Sequence, residues 1–379
     1  MDQANINNIV RQGLAALHAQ RPQEAKQLLT NAIGAGAVNP AIFLALAMAN
    51  RAAGDYGAAK KAADKSIELE PRNPRALLLK GDIYLSEGQK RAATAFYREA
   101  FAAYLPHDHT PDLAADFRRA KAELATLEAD FEGHLKSEFS KNETHLPDSI
   151  RKSLDMMFGR RKAYYPEPNQ YYFPDLPVRE FYDEAEFDWV AELEAATQDI
   201  QAELQEALKV GMAFDAYLVE EKDRPNHDFH GMNGNTDWGA YYLWYNGEPV
   251  AEHQARCPKT VAALNKIPLL FSGRRSPNVL FSRLKPGAKI PPHTGMVNTR
   301  LICHLPLIVP DGCGFRVGNT VREWQPGKVW MFDDTIEHEA WNNSDEERII
   351  LLFEIWKPEL SVEEQDAVTA LFQAVDSYS

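Results

Sequence analysis

The sequence predicts two domains of different class, a series of paired helices followed by an antiparallel β-barrel or jelly roll. A pattern recurs at an offset of 34 residues in the first third of the chain, and from Asn278 onward the apolar period shortens to the alternation of strands. A stretch dense in proline and tyrosine separates the two regimes. At 379 residues the chain is also long for one core.

The helical part comes first. "NPAIFLALAMANRAAGDYGAAKKAADKSIELEPR" begins at Asn39 and "NPRALLLKGDIYLSEGQKRAATAFYREAFAAYLP" at Asn73, so Gly54 recurs as Gly88 and Ala59 as Ala93. One further step back from Ala59 lands on Ala25 in "PQEAKQLL", a degenerate first copy. A 34-residue helix–turn–helix unit with small residues where helices cross resembles the tetratricopeptide repeat. "TPDLAADFRRAKAELATLEADFEGHL" then reads as a long helix able to cap the stack. A repeat domain is therefore expected over residues 1–140. It has two readings at this point, a brace for its neighbour or a groove for a protein or peptide.

Pro147, Pro166, Pro168, Pro174 and Pro177 preclude regular helix over residues 141–178, which is expected to be a linker or a wrapping segment. "EFYDEAEFDWVAELEAATQDIQAELQEALKV" reads as helix. "NVLFSRL", "RLICHLPLIV", "CGFRVGN", "GKVWMFDD" and "RIILLFEIW" follow as short strands, separated by turns such as Pro286-Gly287 and Pro326-Gly327. The second domain is expected over residues 179–379.

Composition narrows the function. No apolar run approaches the roughly 20 residues of a membrane-spanning helix, and "MDQANINNIV" does not read as a secretory signal. Cys257, Cys303 and Cys313 match no disulfide framework, so a reducing cytoplasm is the expected compartment. A net charge of −14 argues against nucleic acid as a partner, and a membrane is not expected either.

Costly side chains stand in the strands. Arg300, Ile302 and His304 share one face of "RLICHLPLIV", while Leu301, Cys303 and Leu305 share the other. An unpartnered Arg300 inside a barrel costs several kcal/mol, so an anion is expected there unless a protein carboxylate pairs with it. Arg348 opens a strand too apolar to face water and has the same two readings. His293 and His338 are 45 residues apart, each at a strand or turn position. That is the layout of metal-binding double-stranded β-helix oxygenases, which normally add a carboxylate two residues after the first histidine. Here that position is Gly295.

The run "FSRLKPGAKIPPHTGMVNTRLICHLPLIVP" with "GKVWMFDDTIEHEAWNNSDEERIILLFEIWKPEL" resembles the catalytic domain of the aspartyl/asparaginyl β-hydroxylase family, 2-oxoglutarate-dependent iron oxygenases that keep two histidines and have glycine in the carboxylate's place. The resemblance reaches back through "TDWGAYYLWYNG" to "EFYDEAEFDWV", and the family's eukaryotic members carry tetratricopeptide repeats ahead of this domain. It implies a cupin-like jelly roll with flanking helices, Fe(II) on His293 and His338, and the distal carboxylate of 2-oxoglutarate on Ser282 and Arg348. His304 and Trp238 match further co-substrate positions, and Arg300 matches an arginine suited to the substrate's carboxylate. Ile302 departs from the pattern, standing where well-known members have an arginine that also touches 2-oxoglutarate.

The implied activity is hydroxylation of an aspartyl, asparaginyl or similar side chain of a protein or peptide, bound in part through the repeats. Alternatives are an oxygenase or a halogenase acting on a small molecule, and a non-catalytic repeat scaffold. Lipid-modifying members of the family are membrane-associated, and the sequence shows no anchor. His227 and His230, in "HDFHG", are read as a loop near the mouth of the site.

Overall fold

Asn39 and Asn73, which open the two 34-residue copies, each cap a helix. Their side chains accept hydrogen bonds from the backbone N–H groups of Ala41 and Ala76, and the prolines that follow stand where a helix has no use for an N–H. The computed structural model describes residues 2–104, 110–141, 146–219 and 231–378. It divides into two units, Met1–Ser153 and Leu154–Ser379.

The first unit holds α1 (Gln3–His18), α2 (Pro22–Gly34), α3 (Pro40–Ala52), α4 (Tyr56–Leu69), α5 (Pro74–Ser86), α6 (Lys90–Ala103) and α7 (Pro111–Lys141). The helices pack in consecutive pairs, α1 with α2, α3 with α4 and α5 with α6, and each pair packs on the next. Ala25, Ala59 and Ala93 are all fully buried where the helices cross. Gly54 and Gly88 take the left-handed conformation between paired helices, with φ of 79° and 73°. In the first pair that place falls to Gln20, with φ of 55°, which explains why the first copy is hard to see in the sequence. The long α7 covers the end of the stack, its Leu113, Phe117 and Ala120 packing with Tyr97 and Ala100.

α8 (Asp148–Met157) straddles the division. The second unit continues with β1 (Phe181–Tyr182), α9 (Val190–Ala195), α10 (Thr197–Lys209), β2 (Asp215–Ala216), β3 (Trp238–Tyr245), β4 (Glu248–Pro249), α11 (Ala251–Arg256) and α12 (Pro258–Leu264). Then come β5 (Val279–Leu284), β6 (Lys289–His293), β7 (Arg300–Ile308), β8 (Cys313–Val317), β9 (Thr320–Arg322), β10 (Trp330–Phe332), β11 (His338–Asn342), β12 (Arg348–Trp356) and α13 (Val362–Asp376).

These strands form two antiparallel sheets, one ordered β1-β10-β7-β12-β5-β3-β2 with β4 beside β3, the other β6-β11-β8-β9. From β5 to β12 the chain passes back and forth between them, which is the jelly-roll arrangement the strand pattern predicts. Their inner faces share a core in which Leu280, Ile302 and Ile350 of the larger sheet meet Ile290, Phe315 and Ala340 of the smaller. The outer face of the larger sheet is covered by helices, with Leu193, Ile200, Leu204 and Leu264 against Cys303, Leu305, Leu351 and Phe353. Burial on both faces accounts for the unbroken apolar run of β12.

The Pro- and Tyr-rich segment differs from a linker. The second unit begins at Leu154, not at residue 179, and from Glu167 on the segment wraps its own domain. The N–H of Glu167 donates to the Thr335 carbonyl at 2.7 Å, that of Asn169 to Gly295 at 3.2 Å and that of Gln170 to Met296 at 3.0 Å. Asn298 closes the strap, its side chain accepting from the Phe173 N–H at 2.6 Å and donating to the Phe173 carbonyl at 2.8 Å. Prolines keep the segment extended, and an extended backbone satisfies its polar groups against a neighbouring edge. A chain starting at residue 154 is therefore expected to fold, and one starting at residue 179 to melt at least about 5 °C lower, as roughly 1 kcal/mol per lost buried hydrogen bond implies. Differential scanning calorimetry of the two shortened chains makes the comparison, and equal melting temperatures would contradict a structural strap.

Candidate active site

β6 and β11 pair so that His293 and His338 lie directly opposite each other, which brings residues 45 apart in sequence to a ring separation of 4.0 Å. Each Nδ1 is turned to a backbone carbonyl, of Pro291 at 2.8 Å for His293 and of Ile336 at 3.0 Å for His338. A carbonyl can only accept, so Nδ1 bears the proton and the lone pair is left on Nε2. Burial lowers both histidine pKa values, that of His338 well below the usual range, which keeps the rings neutral.

The two rings stand at one end of a cavity of about 280 Å³ between the sheets. It is also lined by Trp238, Ser282, Arg300, Ile302, His304 and Arg348, so the structure gathers every site residue expected from the sequence into one place. Strand parity is the reason. Ser282 on β5, Arg348 and Ile350 on β12, and Arg300, Ile302 and His304 on β7 occupy alternate positions that face inward.

Arg348 is only 1% exposed, stacks over the Trp324 ring, and has no hydrogen-bond partner at Nε or Nη1 among the described residues. Burial pushes its pKa down to about 10, so the guanidinium is still cationic at neutral pH. The Trp238 indole N–H donates to Ser282 Oγ at 3.2 Å, which frees the serine proton for a further acceptor. His304 Nδ1 accepts from the indoles of Trp324 at 3.4 Å and Trp330 at 3.3 Å. Burial and the Arg348 cation hold His304 neutral, so its proton sits on Nε2.

Arg300 takes the second of its two readings. The anion that its burial calls for is supplied by the protein: Nη2 pairs with Asp334 at 2.8 Å and Nη1 with Glu354 at 2.7 Å. Its terminal nitrogens are therefore engaged by protein carboxylates, as a buried guanidinium requires. Asp334 is the residue that sequence reasoning missed. It lines the cavity, and a Cβ placed on Gly295 would fall less than 3.0 Å from all three of its carboxylate atoms. The glycine thus makes room for a carboxylate that arrives from the other histidine's side of the site, and the signal was the acid four residues before His338. Asp334 Oδ1 has no hydrogen-bond partner among the described residues. Ile302, where an arginine was expected, adds to the apolar wall.

Two neutral imidazoles with oriented lone pairs, beside a cavity with space for further ligands, form a donor set that fits a divalent first-row metal. Among the described residues no group of three or more His, Cys, Asp or Glu converges on a metal position. His227 and His230 lie outside the described residues. No described helix is long and apolar enough to cross a membrane.

Comparison with known proteins follows the same division of the chain. The aspartyl/asparaginyl beta-hydroxylase family matches residues 194–358, and tetratricopeptide repeats match residues 40–73 and 74–104. The ornithine lipid ester-linked acyl 2-hydroxylase of Rhizobium tropici is 36% identical over 185 residues, 47% of this chain and 60% of that protein. The aspartyl/asparaginyl beta-hydroxylase of Mus musculus is 37% identical over 136 residues, 36% of this chain and 18% of that protein. The human aspartate beta-hydroxylase domain-containing protein 2 is 28% identical over 210 residues, 54% of this chain and 55% of that protein. The chain thus spans less than two thirds of each of these relatives. All three carry the names of hydroxylases or of hydroxylase-domain proteins, and what this chain shares with them is residues 194–358, which match the aspartyl/asparaginyl beta-hydroxylase family, preceded by segments that match tetratricopeptide repeats.

Proposed function

We propose that this chain is an Fe(II)- and 2-oxoglutarate-dependent hydroxylase that acts in the cytoplasm on an aspartyl, asparaginyl or similar side chain of a protein or peptide. The observation that carries the reading is Arg348, a buried cation with two N–H groups unpartnered in the cavity that holds the histidine pair. An uncompensated buried guanidinium is costly, and a carboxylate in bidentate geometry is the ligand that relieves it.

Iron held by His293 and His338 would supply the activation of dioxygen and the oxidation of an unreactive C–H bond. The chain's own residues bind and orient. Arg348 and Ser282 take one carboxylate of 2-oxoglutarate, the serine donating because its oxygen already accepts from Trp238. His304 offers its Nε2–H to the same co-substrate, and Ile302, Phe315 and Leu352 keep water away. Of the two arginines lining the cavity, Arg300 is engaged by Asp334 and Glu354, so Arg348 alone keeps its fork open.

Two alternatives meet physical obstacles. Halogenation requires chloride near Gly295, where the Asp334 carboxylate would repel it. A dead scaffold has no reason to keep a desolvated, unpartnered Arg348 beside oriented histidines. The repeats are read as the surface that brings the protein substrate to the domain.

Succinate formation by the purified chain with Fe(II), 2-oxoglutarate and peptide pools tests the proposal. Arg348→Lys is expected to raise the KM for 2-oxoglutarate by roughly tenfold or more, because a point charge replaces a two-pronged donor and 1.4 kcal/mol is a factor of ten. An unchanged KM would remove Arg348 from the co-substrate site.

A further inference from the structure

Beside the cavity of the histidine pair lies a second cavity, of about 400 Å³, that the function above leaves unused. Gln170, Met296 and Arg300 line both, so the two share a wall. What sets the second apart is an excess of donors. Ser272 is 2% exposed, and its Oγ has no hydrogen-bond partner among the described residues. Arg300, in the shared wall, keeps Nε–H without a partner although both terminal nitrogens are engaged. Arg274 is exposed in the lining and makes no ion pair among the described residues.

The acids nearby are already taken. Asp376 is held by Arg275 through three contacts, at 2.9 Å and 3.1 Å from Nε and 2.5 Å from Nη2, and Arg275 itself stacks on Phe372 at 4.7 Å. Glu354 accepts from Arg300 and from the Asn278 N–H at 3.1 Å. A guanidinium N–H can only donate, and Arg274 adds a positive charge, so the missing partner is an acceptor and the charge favours an anion. Trp356 and Phe372 give the same cavity an apolar wall.

We propose that this second cavity binds a carboxylate of the peptide substrate on Arg274 and Ser272, with the adjoining side chain packed on Trp356 and Phe372. A neighbouring residue of that peptide then enters the cavity of the histidine pair past Gln170 and Met296. The carboxylate is that of a chain terminus or of an acidic side chain. Naming the ligand a substrate rests on the hydroxylase reading; the binding itself does not.

The test titrates the full chain, without added metal, with N-acetyl-phenylalanine, its carboxamide and N-acetyl-aspartate amide. Calorimetry reads the affinity and tryptophan emission reads occupancy, with Trp356→Phe as the control that removes the signal. At least one carboxylate probe is expected to bind about tenfold or more tightly than the phenylalanine carboxamide, and Arg274→Ala and Ser272→Ala each to weaken it by about tenfold. Binding of the phenylalanine acid alone assigns a chain terminus, and binding of the aspartate amide alone assigns a side chain. Arg274 is exposed, so its variant should melt with the parent. 2-Oxoglutarate, placed on Arg348, should leave the probe's affinity unchanged. The proposal is overturned if acid and amide bind alike or not at all, if both variants bind as the parent does, or if 2-oxoglutarate displaces the probe. Because no metal is present, this site can stand while iron binding at the histidines fails, and the reverse.

Discussion

Gly295→Asp, which completes a set of two histidines and a carboxylate, is expected to lower both activity and stability. The reason is steric before it is electronic. Any Cβ at this position falls less than 3.0 Å from the Asp334 carboxylate, and Asp334 cannot simply swing aside. Its Oδ2 is held by Arg300 at 2.8 Å, and its backbone carbonyl accepts from the Gly295 N–H at 2.7 Å. Displacing it breaks a buried ion pair, a change worth about 3–5 kcal/mol when one partner is left unmatched. Aspartate adds repulsion between two buried carboxylates, so it should be worse than alanine. We expect a fall in melting temperature for both variants, ordered alanine then aspartate, and at least about a hundredfold loss of succinate formation for aspartate, since 2.7 kcal/mol is two factors of ten. Parent-like melting of Gly295→Asp would mean that the Asp334 position is soft and the argument fails.

His338→Ala is expected to abolish Fe(II) binding while leaving the jelly roll folded. On the proposed reading the protein contributes two nitrogen ligands, oriented by the Pro291 and Ile336 carbonyls. Loss even of such an orienting partner typically costs 10- to 100-fold in metal affinity, so loss of a ligand itself should cost more than about 100-fold. The ring is buried beside Phe315 and Phe332, and deleting it leaves a small cavity that the surrounding sheets can tolerate. Anaerobic metal titration followed by calorimetry gives the affinity, and far-ultraviolet circular dichroism gives the fold. Retention of full iron occupancy would place the metal elsewhere.

What the sequence disclosed about this site, and what it hid, follows from how far apart the interacting residues are. Alternation along β7 is a property of neighbours, so the inward face of Arg300, Ile302 and His304 could be read directly, as could the 34-residue return of Asn39 at Asn73. The facing of His293 and His338 followed from the family resemblance and is now explained by strand register. The partners of Arg300 were beyond reach, because Asp334 and Glu354 lie 34 and 54 residues away and only the sheet order brings them in. Proline density was expected to rule out helix over residues 141–178, but α8 (Asp148–Met157) forms in the proline-free stretch between Pro147 and Pro166, and only the later part stays extended; nothing local could say which edge would receive its N–H groups. The left-handed Gln20 hid the first repeat for a similar reason, since the conformation is imposed by packing.

The turn before His338 has a thermodynamic consequence. Its two adjacent acids are fastened in separate places, Asp333 to the fully buried Lys357 at 2.5 Å and Asp334 to Arg300. Thr335 also donates to Asp333, through its backbone N–H at 3.0 Å and its hydroxyl at 2.5 Å. A loop held by so many charged contacts has lost its conformational entropy during folding, not at the moment a ligand arrives. On the proposed reading, metal capture would order nothing further, so the heat capacity change of binding should be small and the melting curve should shift by mass action alone.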